Sequence, residues 1–390
     1  MPIARVKPIN LPTINLPIIY LDHAATTPLD PRVLAAMLPF LKDSFGNPSS
    51  SHRLGEESSN AVERAREVIA KSVGERPEHV IFTSGGTEAD NMGLALAKPV
   101  QRPVIISAIE HPAIRDSAGE LKKKGWDVKE APVSSEGIVS MGNIREFLSR
   151  NVLAAVMHVN NEIGTIQPIR AVADLVHDKN GLVLVDCVQS FLKMRVSLDV
   201  LGADAVSLSA HKVYGPKGVG CLVTNGSQKP EKVLFGGDQE FDTRPGTPSV
   251  ANIVGFAKAV ESGFPIDEDQ VGRIQSLRDR LIKELLESIP KSSLNGSQTL
   301  RVCNNVNIAF PGIEGRALIE WLSNRDVCAS LGSACSSASL DPSHVLKAIG
   351  LSAEQALGSL RFTLGRGTTK EEIAIALQYI REGVNQFRRN

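Results

Sequence analysis

Several short stretches of this chain combine residue types that can do chemistry. Ser209-Ala210-His211-Lys212 lies between the apolar run 205–208 and the glycine-rich stretch 215–220. Such a run predicts a buried strand end, and Pro216 with its neighbouring glycines predicts a tight turn. A lysine held there loses proton affinity on burial, and its neutral amine can condense with a carbonyl to form a Schiff base. Ser209 and His211 can hydrogen-bond an anion beside it. A second stretch, Ser84-Gly85-Gly86-Thr87-Glu88, follows the short apolar run 80–83. A strand, a glycine turn and a helix start leave free backbone amides, and the positive end of the helix dipole, facing outward where an anion binds. The G-x-x-x-x-G-K-[ST] spacing of a P-loop is absent. His111, Asn161 and Asp186 also follow apolar runs, and Gln189 comes three residues after Asp186. Taken singly, each has a plainer explanation. Lys212 reads as a loop lysine, Asp186 as a helix N-cap, and His111 and Asn161 as turn residues.

The elements that carry these residues alternate. Residues 18–22 read as a short strand running into the turn 23–28. Asp30 and Pro31 open a helix as N-cap and first helical residue. The segment 56–73 is amphipathic at helical spacing, with Ala61, Val62, Ala65, Val68, Ile69 and Val73 on one face. Strands are expected at 80–83, 104–107, 128–131, 152–159 and 182–185, with helices at 114–124 and 169–179 between them. Continuous apolar strands alternating with helices imply a mostly parallel sheet covered on both faces. Ligands of such sheets collect beyond the carboxyl ends of the strands. That rule gathers Thr87, His111, Asn161, Asp186 and Lys212 into one crevice. Past about residue 255 the pattern changes to a long helix at 271–288, strands at 306–310 and 360–363, and helices at 315–324, 344–350 and from Thr369. Glu372 stands at capping-box spacing from Thr369. The expected organisation is a large domain over 18–260, a smaller α+β domain over 261–390, and an arm at 1–17. That arm, proline-punctuated with alternating Ile and Leu, either docks on the body or is a disordered tail.

Composition narrows the function classes. The 390 residues carry 43 basic and 43 acidic side chains, so no global field holds the chain on nucleic acid or an anionic membrane. No apolar run approaches a membrane span, and the N-terminus lacks signal- and transit-peptide patterns. A cytoplasmic location is expected. The five cysteines are odd in number and none forms a C-x-x-C pair, which argues against a disulfide framework and a structural zinc site. No metal site is expected.

Together the crevice residues meet the needs of pyridoxal phosphate: a lysine for the Schiff base, a phosphate cup, an acid for the ring nitrogen and a flat partner for the ring. Lys212 can supply the first, and Gly86, Thr87, Ser209 and His211 the cup. Asp186 can keep the pyridinium protonated, His111 can stack on the ring, and Gln189 can donate to the phenolic oxygen.

The chain resembles the cysteine desulfurases of the class V aminotransferase family, fold type I. The matching stretches are Tyr20-Leu21-Asp22-His23-Ala24-Ala25-Thr26-Thr27-Pro28, Phe82-Thr83-Ser84-Gly85-Gly86-Thr87-Glu88, Glu110-His111, Met157-His158-Val159-Asn160-Asn161-Glu162-Ile163-Gly164 and Val185-Asp186-Cys187-Val188-Gln189-Ser190. They continue through residues 209–220, Arg244-Pro245-Gly246-Thr247, Gly332-Ser333-Ala334-Cys335 and Leu360-Arg361-Phe362. The stretch 336–340, leading to Pro342-Ser343, looks like the subclass with a long catalytic-cysteine loop.

The resemblance implies that L-cysteine displaces Lys212 from the cofactor and that Arg361 grips its carboxylate, with Asn161 also at the substrate. Lys212 or His111 moves protons, and the Cys335 thiolate attacks the substrate sulfur. Alanine and a Cys335 persulfide result, and an acceptor or iron–sulfur scaffold protein takes the sulfur. The resemblance also implies a homodimer in which Thr247 reaches the other subunit's phosphate. Cys187 stands where family members often carry alanine and reads as packing beside the site. Asp238 and Phe241 depart from the family pattern, replacing a glycine and an arginine. Selenocysteine lyase and a partner-dependent sulfur-relay scaffold are the alternative readings.

Overall fold

The computed structural model describes residues 18–332 and 341–388. The arm 1–17, Cys335 and the stretch 336–340 lie outside the described residues. The elements expected from the alternating pattern are present. Twelve strands are described, from β1 (Ile19–Tyr20) onward. Seven form the central sheet: β2 (Val80–Thr83), β3 (Val104–Ser107), β4 (Val128–Ala131), β5 (Leu153–Ala155), β6 (Leu182–Asp186), β7 (Ala205–Ser209) and β8 (Gly220–Thr224). Their order is β2-β8-β7-β6-β5-β3-β4. Only β8 runs against its neighbours, pairing antiparallel with β2 and with β7. The other six strands therefore deliver their carboxyl ends to one edge.

Every residue of β2, β3, β5, β6, β7 and β8 is buried, which is why these strands read as unbroken apolar runs. Helices cover both faces. Val62, Ala65 and Ile69 of α2 (Arg53–Val73) pack on one face with Val183, Val185 and Val206. Ala89 and Met92 of α3 (Gly86–Leu94) and Ile114 of α4 (Pro112–Lys123) pack on the other with Val104 and Leu184. A second core collects the long helix Glu268–Ser288, the helix Lys370–Phe387, β10 (Asn305–Ala309) and β12 (Ser359–Thr363). It also takes in Ile19 and Leu21, because β1 pairs in parallel with β11 (Val327–Cys328). β12, β10 and β9 (Ser293–Leu294) form a three-stranded sheet.

Caps set the element ends. Asp30 accepts from Arg32 N ahead of Pro31, and Thr369 and Glu372 close a capping box. Two expectations need correction. The helix expected from residue 56 begins at Arg53, because the His52 ring accepts from Gly55 N and caps it. The strand expected over 152–159 is only β5. Beyond Ala155 the Met157 amide turns to the Glu110 carboxylate, at 3.0 and 3.1 Å, and leaves the β3 side of the ladder. No described helix is long and apolar enough to cross a membrane.

Candidate active site

Lys212 closes a short 3-10 turn, Ala210–Lys212, directly after β7. Its Nζ donates to the carbonyls of Ala24 and Ala25 at 2.6 and 2.7 Å. The 24–27 segment wraps the lysine turn. Thr27 Oγ1 donates to His211 O at 2.9 Å and accepts from Tyr214 N at 2.7 Å. Gln189 Nε2 donates to the same Ala24 carbonyl at 2.9 Å, so Gln189 and Lys212 share one acceptor.

Asp186 ends β6 in register with Ser207 of β7. Its carboxylate accepts from Val188 N at 2.8 Å. Burial pushes its pKa up, while the charges of His111 and Lys212 pull it back down. Two further carboxyls lie beneath. Asp90 of α3 is 1% exposed, hydrogen-bonded by Ser207 Oγ and held well above the carboxylate range, by burial first and then by Asp186. Glu110 is fully buried, accepts from Ser107 Oγ and Met157 N, and is pushed up to about 8, chiefly by burial. Glu110 thereby ties the end of β3 to the end of β5. The next residue, His111, caps α4 through Nδ1, which accepts from Ala113 N at 3.1 Å.

The anion cup lies between the start of α3 and the end of β7. Gly85 precedes the helix without a side-chain cap, so the first amides of α3 are not taken up by a capping side chain. A Cβ on Gly86 would lie 3.0 Å from Val188 Cγ2 and 3.6 Å from Ser209 Cβ, which shows how tightly the turn meets β7. Ser209 Oγ is buried and has no hydrogen-bond partner, and that hydroxyl is a donor waiting for a phosphate oxygen. His211 is driven down to about 4, by burial first and then by Lys212 and Lys217, so it is neutral at pH 7. Its Nδ1 lies 3.1 Å from Thr26 Oγ1. Thr87 and Thr247 are both exposed.

Arg361, on β12, is 1% exposed. Its Nη1 donates to Asn161 O and to Gly332 O, both at 2.9 Å, and its Nη2 donates to Asp22 Oδ1 at 2.8 Å. Its Nε is buried without a partner. A guanidinium held in this way keeps two N–H donors, at Nε and Nη2, in reserve for a carboxylate. The structure thus brings Lys212, Gln189, Asp186, Ser209 and Gly86 to the carboxyl edge of the sheet. Asn161 meets Arg361 through its backbone carbonyl.

Sequence reasoning missed the carboxyls of Asp22, Asp90 and Glu110. Asp22 and Glu110 stood inside quoted motifs, but a motif does not show what a carboxyl touches. Cys187 and Cys221 are fully buried, and burial pushes both thiols up. Cys187 therefore packs beside the site, as read.

Comparison with known proteins decides the family. The class-V aminotransferase profile matches residues 19–375. The chain belongs to the class-V aminotransferase family. It is 42% identical over 375 residues to the cysteine desulfurase IscS of Dictyoglomus turgidum, covering 95% of each chain. A solved NifS-like protein superposes with a TM-score of 0.87 at 34% identity, covering 94% of this chain and 98% of that one. SspA, solved in complex with cysteine, superposes with a TM-score of 0.78 at 34% identity, covering 90% of this chain and 99% of that one. Class-V aminotransferases of this group work with pyridoxal phosphate, and the unpartnered Ser209 hydroxyl, the uncapped start of α3 and the buried Asp186 fit that cofactor.

Proposed function

We propose the following reading of the site for a pyridoxal phosphate-dependent cysteine desulfurase that releases sulfur from L-cysteine and leaves L-alanine. When bound, the cofactor supplies an electron sink that draws electrons from the amino acid's Cα and Cβ. Lys212 would hold the cofactor aldehyde through Nζ and, when free, would carry protons there. Gly86, Thr87, Ser209 and His211 would hold the phosphate. Asp186 would hold the ring nitrogen, Gln189 the phenolic oxygen, and His111, its Nδ1 committed to Ala113 N, would stack on the ring. Arg361 and Asn161 orient the substrate carboxylate.

Cys335 as thiolate then attacks the substrate sulfur. The S–S bond forms as the Cβ–S bond breaks, and the carbon framework takes up protons to become alanine. The persulfide sulfur passes to an acceptor protein, in iron–sulfur cluster assembly or thiolation.

The observation that carries this reading is where the cysteine segment is rooted. The last described residue before it, Gly332, accepts from Arg361, and Ser343 beyond it donates to Glu162 Oε2 at 2.6 Å. A Cβ on Gly332 would lie 3.0 Å from Glu162 Oε2, so both roots stand at one carboxylate beside the substrate arginine.

A division into a large domain over 18–260 and a small one over 261–390 belongs to the same reading, as does a cytoplasmic location. A homodimer is proposed as well. It is supported by Leu34, Leu38, Leu41 and Phe45, 45–73% exposed on and just after α1 (Pro31–Lys42), and by Phe235, 88% exposed, on the segment that leads to Thr247.

The test is Cys335→Ala in the loaded enzyme. The expected result is full cofactor content with loss of alanine release. Unchanged turnover would remove Cys335 from the reaction. A strong preference of the wild type for selenocysteine would favour the lyase alternative.

A further inference from the structure

Behind Lys212, away from the anion cup, lies a second cavity. It is walled by Phe191 and Lys193 after β6, by Ile274 of the long helix, and by Cys303 and Arg366 flanking the three-stranded sheet. Lys212 lines it too, whereas Thr87, His111, Asp186 and Arg361 do not. Its interior volume is about 40 Å³, room for roughly three waters.

The charge inventory around this cavity does not balance. Lys193 Nζ makes a single hydrogen bond, to Gln189 O at 3.0 Å, and no ion pair among the described residues. The Arg366 guanidinium lies 4.4 Å over the Tyr214 ring and also has no ion pair among the described residues. The carboxylates whose fields reach Arg366 are those of Asp30 and Asp267. Asp30 is held by Arg32 at 2.6 Å, and Asp267 caps the long helix by accepting from Gln270 N at 3.0 Å. Lys193 is drawn down to about 8, by burial first; the Cys303 thiol opposes that shift, while Lys212 and Arg366 add to it.

A third titratable side chain lines the same space. His23 is 6% exposed, lines the cavity, and its Nδ1 has no hydrogen-bond partner. Gly365 makes room for this ring, because a Cβ there would sit 2.1 Å from His23 Cε1. Two cations at one cavity that has no carboxylate in its lining call for a missing counter-ion.

We propose that this cavity binds a small oxyanion of the bicarbonate or phosphate class, held between Lys193 and Arg366. The Lys193 ammonium and the Arg366 guanidinium together offer several donors, which suits a group with three or four oxygens. The anion joins the segment after β6 to the segment after β12, and it stands against the wall formed by Lys212. It is separate from the cofactor's phosphate, whose cup lies at the start of α3.

The test uses the enzyme loaded with pyridoxal phosphate, so that the cup is already filled. Thermal melting is followed against potassium phosphate, bicarbonate and chloride at matched ionic strength and pH. The expected result is a saturable rise in melting temperature with phosphate, bicarbonate or both, beyond that with chloride. Whichever acts alone identifies the source. Arg366→Gln and Lys193→Met should each weaken the apparent affinity at least tenfold. Crystals of the wild type soaked in arsenate or bicarbonate, matching the active anion, should show it between the two cations, with an anomalous peak in the arsenate case. No saturable shift beyond chloride, a shift undiminished in both variants, or an empty cavity at saturating anion would each overturn the proposal.

Discussion

The Arg361 guanidinium donates to Asp22 Oδ1 at 2.8 Å, joining β12 to the turn that wraps Lys212. Arg361 is 1% exposed, so Asp22 is its counter-charge in the absence of substrate. Asp22→Asn should cost about 2 kcal/mol, less than the roughly 3–5 of a fully buried pair, because Asp22 keeps part of its side chain in solvent. In that variant a substrate-like carboxylate restores the charge balance. L-Alanine should therefore raise the melting temperature of loaded Asp22→Asn by more than it raises that of the loaded wild type. Equal shifts would show that Asp22 does not balance Arg361.

Lys212→Ala should remove covalent attachment of the cofactor. Borohydride should fix pyridoxal phosphate to residue 212 of the wild type and leave the variant unlabelled, with cysteine turnover down by at least a thousandfold. A label retained in the variant would place the attachment elsewhere.

Glu110 gives a pH dependence whose sign can be worked out. Burial raises its pKa to about 8 in the folded chain, against about 4.3 when unfolded. The folded state therefore binds the extra proton between these values. Its contribution to stability is complete below about pH 4 and is lost as pH rises through about 8. Glu110→Gln has no proton to lose, so the stability difference between wild type and variant, read by urea unfolding, should shift against the wild type from pH 5 to pH 9. A flat difference would mean that Glu110 is ionised throughout.

Glu240 holds an unusual turn. Residues 240, 241 and 242 all have left-handed backbones, with φ of 50°, 57° and 57°, and none is glycine. Such conformations cost on the order of 1 kcal/mol or more each. Glu240 offsets this by accepting from Arg66 at 2.8 and 2.9 Å and from Phe82 N at 2.7 Å. Arg66 also lies 4.9 Å over the Phe241 ring. Glu240→Ala leaves the buried Arg66 with only the half-exposed Glu63, at 3.2 Å, as its carboxylate partner and should destabilise the fold by about 2–4 kcal/mol, measured by denaturant unfolding. A loss below about 1 kcal/mol would show that the ion pair does not hold the turn.

The limits of legibility follow from these residues. The runs at 80–83, 104–107, 182–185 and 205–208 are legible because a strand covered on both faces carries few polar positions, here only the small Thr83, Ser107 and Ser207, to confuse the pattern. The run at 152–159 misled because apolarity reports burial and not pairing. Its second half stays buried while Met157 N turns to a carboxylate from another strand end. The left-handed turn at 240–242 has no local signal, since Glu, Phe and Asp adopt it only under contacts with α2 and β2.

By itself, the sequence determined most of the alternating elements and the mostly parallel sheet. These depend on periodicity, caps and connection rules, which are local. Only the tertiary structure decided that Lys212 and Gln189 share the Ala24 carbonyl, that Asp22 answers Arg361 across 339 residues, and that Lys193 and Arg366 face one cavity without a carboxylate. Those relationships are distances and charge balances between segments remote in the chain, and no local pattern encodes them.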